Sequence, residues 1–268
     1  MEQRLPPEGH PISVEKAKEL MAGPLADACR DILKRCCIPI YWSRLDKKNP
    51  EILHNGTLTL LRTPTKLLGV TAAHVLKAYK TDFEKERIRL KLLNEVVEDL
   101  LSRVIDVSER LDLATIAIDE RVLNKLGEAW ALTPLTDWPL QPPQEGRGIM
   151  LAGYPGIDRL QPDCFKINWG LFTAIGVART VTDTQITWVV EREYQVENTK
   201  IRTLPPNYDL GGVSGGPLIS WFETPSYVAH HRLSGIITEH PDYEKSDFSI
   251  ERLIAIREDV IREGGTIG

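Results

Sequence analysis

The chain has 268 residues, 42% of them hydrophobic and 26% charged, and a net charge of −5. This is the composition of a globular protein with length enough for a sizeable core and one or two domains, and it carries no basic footprint for nucleic acid. No apolar run approaches the roughly 20 residues a bilayer span needs, and Met1-Glu2-Gln3-Arg4-Leu5-Pro6-Pro7 lacks a secretory pattern, so the expectation is a cytoplasmic protein with no membrane partner.

Residues 1–12 are Pro-rich and polar and are expected to drape loosely. Ser13 can cap a helix whose first turns carry Glu15 and Glu19, and Gly23-Pro24 breaks it. A second helical piece covers residues 25–35, with Leu25, Ala28, Cys29, Ile32 and Leu33 at helical spacing. Residues 1–37 therefore form an N-terminal helical extension. From Ile38 the pattern switches to short segments rich in β-formers at 38–42, 56–61, 66–71, 87–93 and 113–118, punctuated by turns such as Asn49-Pro50 and Asn55-Gly56. A short helical turn is expected over 72–80, and 96–107 fits either helix or strand.

Residues 133–148 hold four prolines and read as an extended linker. Strands resume at 149–152, 165–178, 184–190, 218–222 and 233–238, with Gly153-Tyr154-Pro155-Gly156 as a turn. Residues 250–262 place apolar side chains at 250, 253, 254, 256, 260 and 261, which predicts a C-terminal helix ended by Gly264-Gly265. The whole reads as all-β: a first set of strands over 38–132, the linker, and a second set with the terminal helix over 149–268. The four cysteines, Cys29, Cys36, Cys37 and Cys164, show no C-x-x-C spacing and are expected to be free thiols, as in a reducing compartment.

The chemistry centres on Gly211-Gly212-Val213-Ser214-Gly215-Gly216-Pro217. A serine among glycines is either part of a turn or an exposed nucleophile whose neighbouring N–H groups can face an oxyanion. A nucleophile needs a base. Of six histidines, His74 in Thr71-Ala72-Ala73-His74-Val75 ends an apolar strand. Asp112, in Leu111-Asp112-Leu113-Ala114, opens another, where a carboxylate is costly unless hydrogen-bonded. The order His74, Asp112, Ser214 is that of the chymotrypsin fold. Gly212-Val213-Ser214-Gly215-Gly216 also matches the G-x-S-x-G of α/β-hydrolases. That fold needs an acid and then a histidine after the serine, and a helix rather than a strand. Subtilisin order needs an aspartate ahead of the histidine, and Asp27, Asp31 and Asp46 lie in no matching motif.

Thr71-Ala72-Ala73-His74, Asp112-Leu113-Ala114 and Gly212-Val213-Ser214-Gly215-Gly216-Pro217 resemble the three signature blocks of trypsin-like (chymotrypsin-fold) serine peptidases. Leu233-Ser234-Gly235-Ile236-Ile237 resembles the strand that follows in that family, and Gly153-Tyr154-Pro155 a turn near the start of its second barrel. The resemblance spans residues 38–262 and implies two six-stranded antiparallel β-barrels. It also implies endopeptidase activity on protein or peptide substrates, with Ser214 as nucleophile, His74 as base and Asp112 orienting it. Gly212 and Ser214 N–H groups would form the oxyanion hole.

Val213 stands where secreted trypsins carry the aspartate that pairs with the amine freed by zymogen cleavage. Something else must fix the loop: packing of Val213, or an activating or regulatory protein partner. Val75 follows the histidine in place of a cysteine, which resembles the disulfide-free, intracellular bacterial side of the family. A free-standing cytosolic protease must be restrained, and this raises narrow specificity or a switched activity within a bacterial stress or defence system. The resemblance puts the floor of the specificity pocket at Tyr208, beside Asp209, and a wall at Thr238-Glu239-His240. It implies no cofactor and no metal, and no P-loop or H-E-x-x-H motif occurs. A different class of reading stays open: a protease-fold binding module, inactive or latent until a partner completes the site.

Overall fold

The computed structural model describes residues 14–44, 52–133, 143–162, 167–189, 196, 208–223, 229–238 and 252–268. Helix α1 (Val14–Met21) ends before Gly23, and α2 (Pro24–Cys36) starts on a proline whose missing N–H costs nothing at a helix N-terminus. The first unit follows: β1 (Cys37–Arg44), β2 (Ile52–Arg62), β3 (Leu67–Thr71), α3 (Ala73–Lys85), β4 (Ile88–Leu92), β5 (Glu95–Val96), β6 (Val104–Ser108), β7 (Leu113–Ala117) and α4 (Glu120–Lys125). The stretch 96–107 resolves into the end of β5, a 3₁₀ turn and most of β6. Helix α3 runs five residues past the expected end at 80, to Lys85.

The second unit comprises β8 (Gly148–Gly153), β9 (Arg159–Leu160), β10 (Asn168–Trp169), β11 (Phe172–Val177), β12 (Thr180–Val181), β13 (Gln185–Val189), β14 (Pro217–Glu223), β15 (Ala229–Thr238) and β16 (Arg252–Arg257). The first unit is one seven-stranded sheet, in the order β5-β4-β1-β2-β3-β7-β6; the second is a seven-stranded sheet, in the order β11-β8-β14-β15-β16-β13-β12, with a separate two-stranded ribbon of β9 and β10. The seven strands, against six expected, include a two-residue strand in each sheet, β5 and β12. All ladders are antiparallel, and the fold is a chymotrypsin-like double barrel of two curled sheets.

Two expectations are overturned: Asn55-Gly56, expected as a turn, lies within β2 paired with Tyr41 and Ile40 of β1, and the C-terminal helix gives way to a strand. Residues 252–257 form strand β16, not part of a terminal helix, paired to β13 and β15. A strand buried on both faces carries a continuous apolar run, and such a run satisfies helical spacing by accident. Here Leu253 and Ala255 face the core of the second barrel, whereas Ile256 faces the core between the barrels. Among the described residues, only the 3₁₀ turn Glu258–Val260 remains of the helix.

Three apolar cores follow. Ile38, Ile40, Trp42, Leu58, Leu60 and Leu92 help fill the first barrel. Ile149, Leu151, Ile186, Val213, Leu218 and Ile237 help fill the second. Between them, Leu61, Leu68 and Val70 meet Met150, Ile219 and Ile236, and α2 closes this seam with Cys29, Leu33 and Cys36. Cys29, Cys36 and Cys37 are buried free thiols, and Cys164 lies outside the described residues.

Candidate active site

Strand β3 is buried along its length, and the chain passes through Ala72 straight into α3. His74 thus sits in the first helical turn, where backbone N–H groups have no intrahelical acceptor. Asp112 supplies acceptors. His74 N–H donates to Asp112 Oδ1 at 2.9 Å, and Ala73 N–H donates to the Asp112 carbonyl at 3.1 Å. The second carboxylate oxygen, Oδ2, lies 2.8 Å from His74 Nδ1. Asp112 adopts φ = 50°, a left-handed conformation that aspartate tolerates better than most residues. Its side chain is 14% exposed against 40% for His74, so a sheltered carboxylate grips one edge of an accessible imidazole. With Nδ1 donating to that carboxylate, Nε2 becomes the basic nitrogen.

Ser214 is held by its backbone. Its carbonyl accepts from Thr57 N–H on β2 at 2.9 Å, and the residue is 5% exposed. The flanking loop is pinned to the first barrel by threonines that face the seam. Thr57 Oγ1 donates to Gly212 C=O at 2.8 Å, and Thr59 Oγ1 donates to Gly215 C=O at 2.8 Å. Thr57 Oγ1 also accepts from Tyr154 N–H at 2.9 Å, and Thr71 Oγ1 donates to Thr57 C=O at 2.7 Å. Gly215, at φ = 93°, leaves no room for a side chain: a Cβ there would lie 1.9 Å from the Thr57 carbonyl and 2.5 Å from Thr71 Oγ1. Thr71 leads through two alanines to His74, so the serine loop rests on the strand pair that delivers the histidine.

The direction of two N–H groups follows from their own peptides. In a trans peptide C=O and N–H point opposite ways. The Gly211 carbonyl accepts from Gly156 N–H at 2.8 Å, which aims Gly212 N–H away from the 154–156 turn. The Val213 carbonyl accepts from Gly216 N–H at 2.9 Å, which fixes Ser214 N–H in the same manner. Among the described residues, neither Gly212 N–H nor Ser214 N–H meets an acceptor. The Val213 side chain is buried in the second barrel against Gly153, where an added Cβ would stand 2.6 Å from Val213 Cγ1.

The expected pocket residues divide. Tyr208 is buried beside Phe172, and its hydroxyl donates to Asp158. Burial, and then the adjacent Asp158 carboxylate, pushes the Tyr208 phenol well above its usual range. Asp209 is exposed and accepts Gly211 N–H at 2.8 Å, a local turn bond. Thr238 is buried at the end of β15, and Glu239 and His240 lie outside the described residues. His231 is half-buried, its ring edge-on to Trp130 and Trp221. No group of three or more metal-ligating side chains occurs among the described residues.

The parts that Asn55, Thr57, Thr59, Thr71 and Asp158 play at the site escaped the reading of the sequence. The one available signal was Thr57-Leu58-Thr59-Leu60, an alternation in which threonines rather than charged residues fill one face. Buried hydroxyls on a strand demand partners, but nothing local says which.

No protein-family model matches this chain, and no curated protein matches it. Among solved structures it is similar to the active form of the Rv3671c protease from M. tuberculosis, at 13% identity and a TM-score of 0.48, over 88% of this chain and 83% of that one. Among the described residues, no helix is long and apolar enough to cross a membrane.

Proposed function

We propose that the protein is a serine endopeptidase that cleaves protein or peptide substrates through an acyl-enzyme. The observation that carries the reading is the His74–Asp112 pair at 2.8 Å, with His74 delivered by β3, the neighbour of the strand β2 that binds the Ser214 loop. Ser214 Oγ attacks the scissile carbonyl as His74 Nε2 takes its proton. The tetrahedral oxyanion is bound by Gly212 and Ser214 N–H. His74 then protonates the leaving amine, and water repeats the sequence in reverse to release the acid. Asp112 stabilises the imidazolium at both stages.

The specificity pocket would have Tyr208 at its floor, with its hydroxyl donating to Asp158 and with Asp209 beside it accepting Gly211 N–H. The three buried free thiols suit a reducing compartment.

A fluorophosphonate probe tests the reading. Wild-type protein is expected to be labelled, and both Ser214→Ala and His74→Ala to lose labelling. Folded wild type that resists the probe sinks the peptidase and leaves the binding module. Retained labelling in His74→Ala removes His74 from the role of base. Identification of protein termini created by wild type but not by Ser214→Ala would then give the substrate class and residue preference.

A further inference from the structure

The direction of Gly212 N–H is decided by the Gly211–Gly212 peptide, and that peptide is anchored on the 154–156 turn through Gly156 N–H. What anchors the turn is a side chain from the other barrel. Asn55, half-buried on β2, donates from Nδ2 to the Tyr154 carbonyl at 2.9 Å. Its amide fills the space between the two glycines. A Cβ on Gly212 would sit 2.1 Å from Asn55 Nδ2, and a Cβ on Gly156 would sit 3.0 Å from Asn55 Oδ1. Gly212, at φ = 105°, has a backbone conformation that side-chain-bearing residues rarely take, so it depends on its surroundings to hold it. Those surroundings are the Asn55 amide on one side and Thr57 Oγ1 on its carbonyl.

We propose that Asn55 is a positioning residue for the oxyanion-binding loop: it clamps the Tyr154–Gly156 turn against Gly211–Gly212, so that Gly212 N–H is directed at the reacting carbonyl before any substrate arrives. The proposal rests on the peptidase reading and deepens it. It assigns to one amide from the first barrel the task that an aspartate–ammonium pair performs elsewhere, with Val213 packing as its counterpart inside the second barrel. Loss of the amide leaves the 154–156 turn held to the first barrel only by Tyr154, through its N–H on Thr57 Oγ1 and its hydroxyl on the Cys37 carbonyl, and loosens the peptide whose carbonyl holds the N–H in line. The hydrogen bonds between His74 and Asp112 do not run through Asn55.

The test uses the full chain and a fluorophosphonate probe, whose tetrahedral phosphorus oxygen must enter the same N–H pair. Asn55→Ala and Asn55→Asp are compared with wild type. The aspartate variant keeps the shape and the fold while replacing the donor to Tyr154 by an acceptor. In both variants the limiting inactivation rate is expected to fall about 10- to 100-fold, with the probe concentration for half-saturation little changed. The low-field proton resonance of His74 Nδ1–H should stay as in wild type, and any fall in the thermal midpoint should leave both variants folded at the assay temperature. Labelling within twofold of wild type in both variants overturns the proposal. So does a slowed rate accompanied by loss of the Nδ1 proton signal, since that marks a general disturbance of the site. Wild type that is folded yet unlabelled overturns the peptidase reading itself, a result distinct from either.

Discussion

Asp112 does two things with one carboxylate. Oδ1 accepts the orphan N–H at the start of α3 and Oδ2 holds the imidazole of the same residue, His74. A carboxylate that caps the helix carrying its own histidine cannot shift without moving it. Asp112→Asn preserves the shape but sets an amide donor or a weaker acceptor against Nδ1. Activity or probe labelling should drop by roughly 10⁴, with stability nearly intact. Asp112→Ala adds the loss of the cap, about 1 kcal/mol, readable in thermal unfolding. Thr57 carries a comparable burden in the seam, accepting from Tyr154 N–H and donating to Gly212 C=O. Thr57→Val is isosteric and strands two buried backbone groups, so denaturant unfolding should report a loss of about 2 kcal/mol or more. Thr57→Ser should recover most of it.

At the scale of the element, the serine loop is locked from both sides. Threonines of β2 bind its carbonyls, and Val213 plugs it into the second barrel against Gly153 on β8. Val213 supplies packing where the family's aspartate is missing, and Gly153→Ala tests whether that packing immobilises the loop. Gly153→Ala drives a methyl into Val213, whose side chain is 1% exposed and has nowhere to retreat. The loop must then move. Probe labelling is expected to slow at least tenfold, with a stability loss of about 1–3 kcal/mol, the usual range for overpacking. If Gly153→Ala labels at the wild-type rate, the plug is only filler.

At the scale of the molecule, the two barrels share a core, and the chain beyond β16 crosses back to the first barrel. Thr63 and Thr65 hydroxyls bind Glu263 C=O at 2.6 and 2.8 Å, Thr115 Oγ1 binds Gly265 C=O, and Ile267 N–H reaches Asp106 at 2.8 Å. The two barrels should therefore melt together in one transition. Alkaline pH probes this buried interior. Burial pushes the Tyr41 phenol up to about 12 and raises Tyr154 as well, whereas unfolded phenols titrate near their ordinary value of 10.0. Above pH 10 the unfolded chain gives up these protons while the folded chain keeps them. Stability is thus fully present below pH 10 and falls as pH rises through about 12. Tyr41→Phe should flatten that decline in urea titrations at pH 9, 10 and 11.5.

The sequence determined the strand-rich character, the helical extension and the three blocks around His74, Asp112 and Ser214. These depend on local signals: apolar alternation, glycine spacing and a carboxylate too costly to leave inside an apolar strand without a partner. It did not determine β16, because a strand buried on both faces erases its own alternation and takes on the spacing of a helix. Nor could it reveal that Asn55, Thr57 and Thr59 hold the serine loop, since their partners lie about a hundred or more positions away and polar residues in a strand carry no address. Only the docking of one barrel on the other brought those hydroxyls and that amide to the glycines. Side-chain hydrogen bonds between distant segments are satisfied by tertiary geometry and leave no periodic trace in the chain.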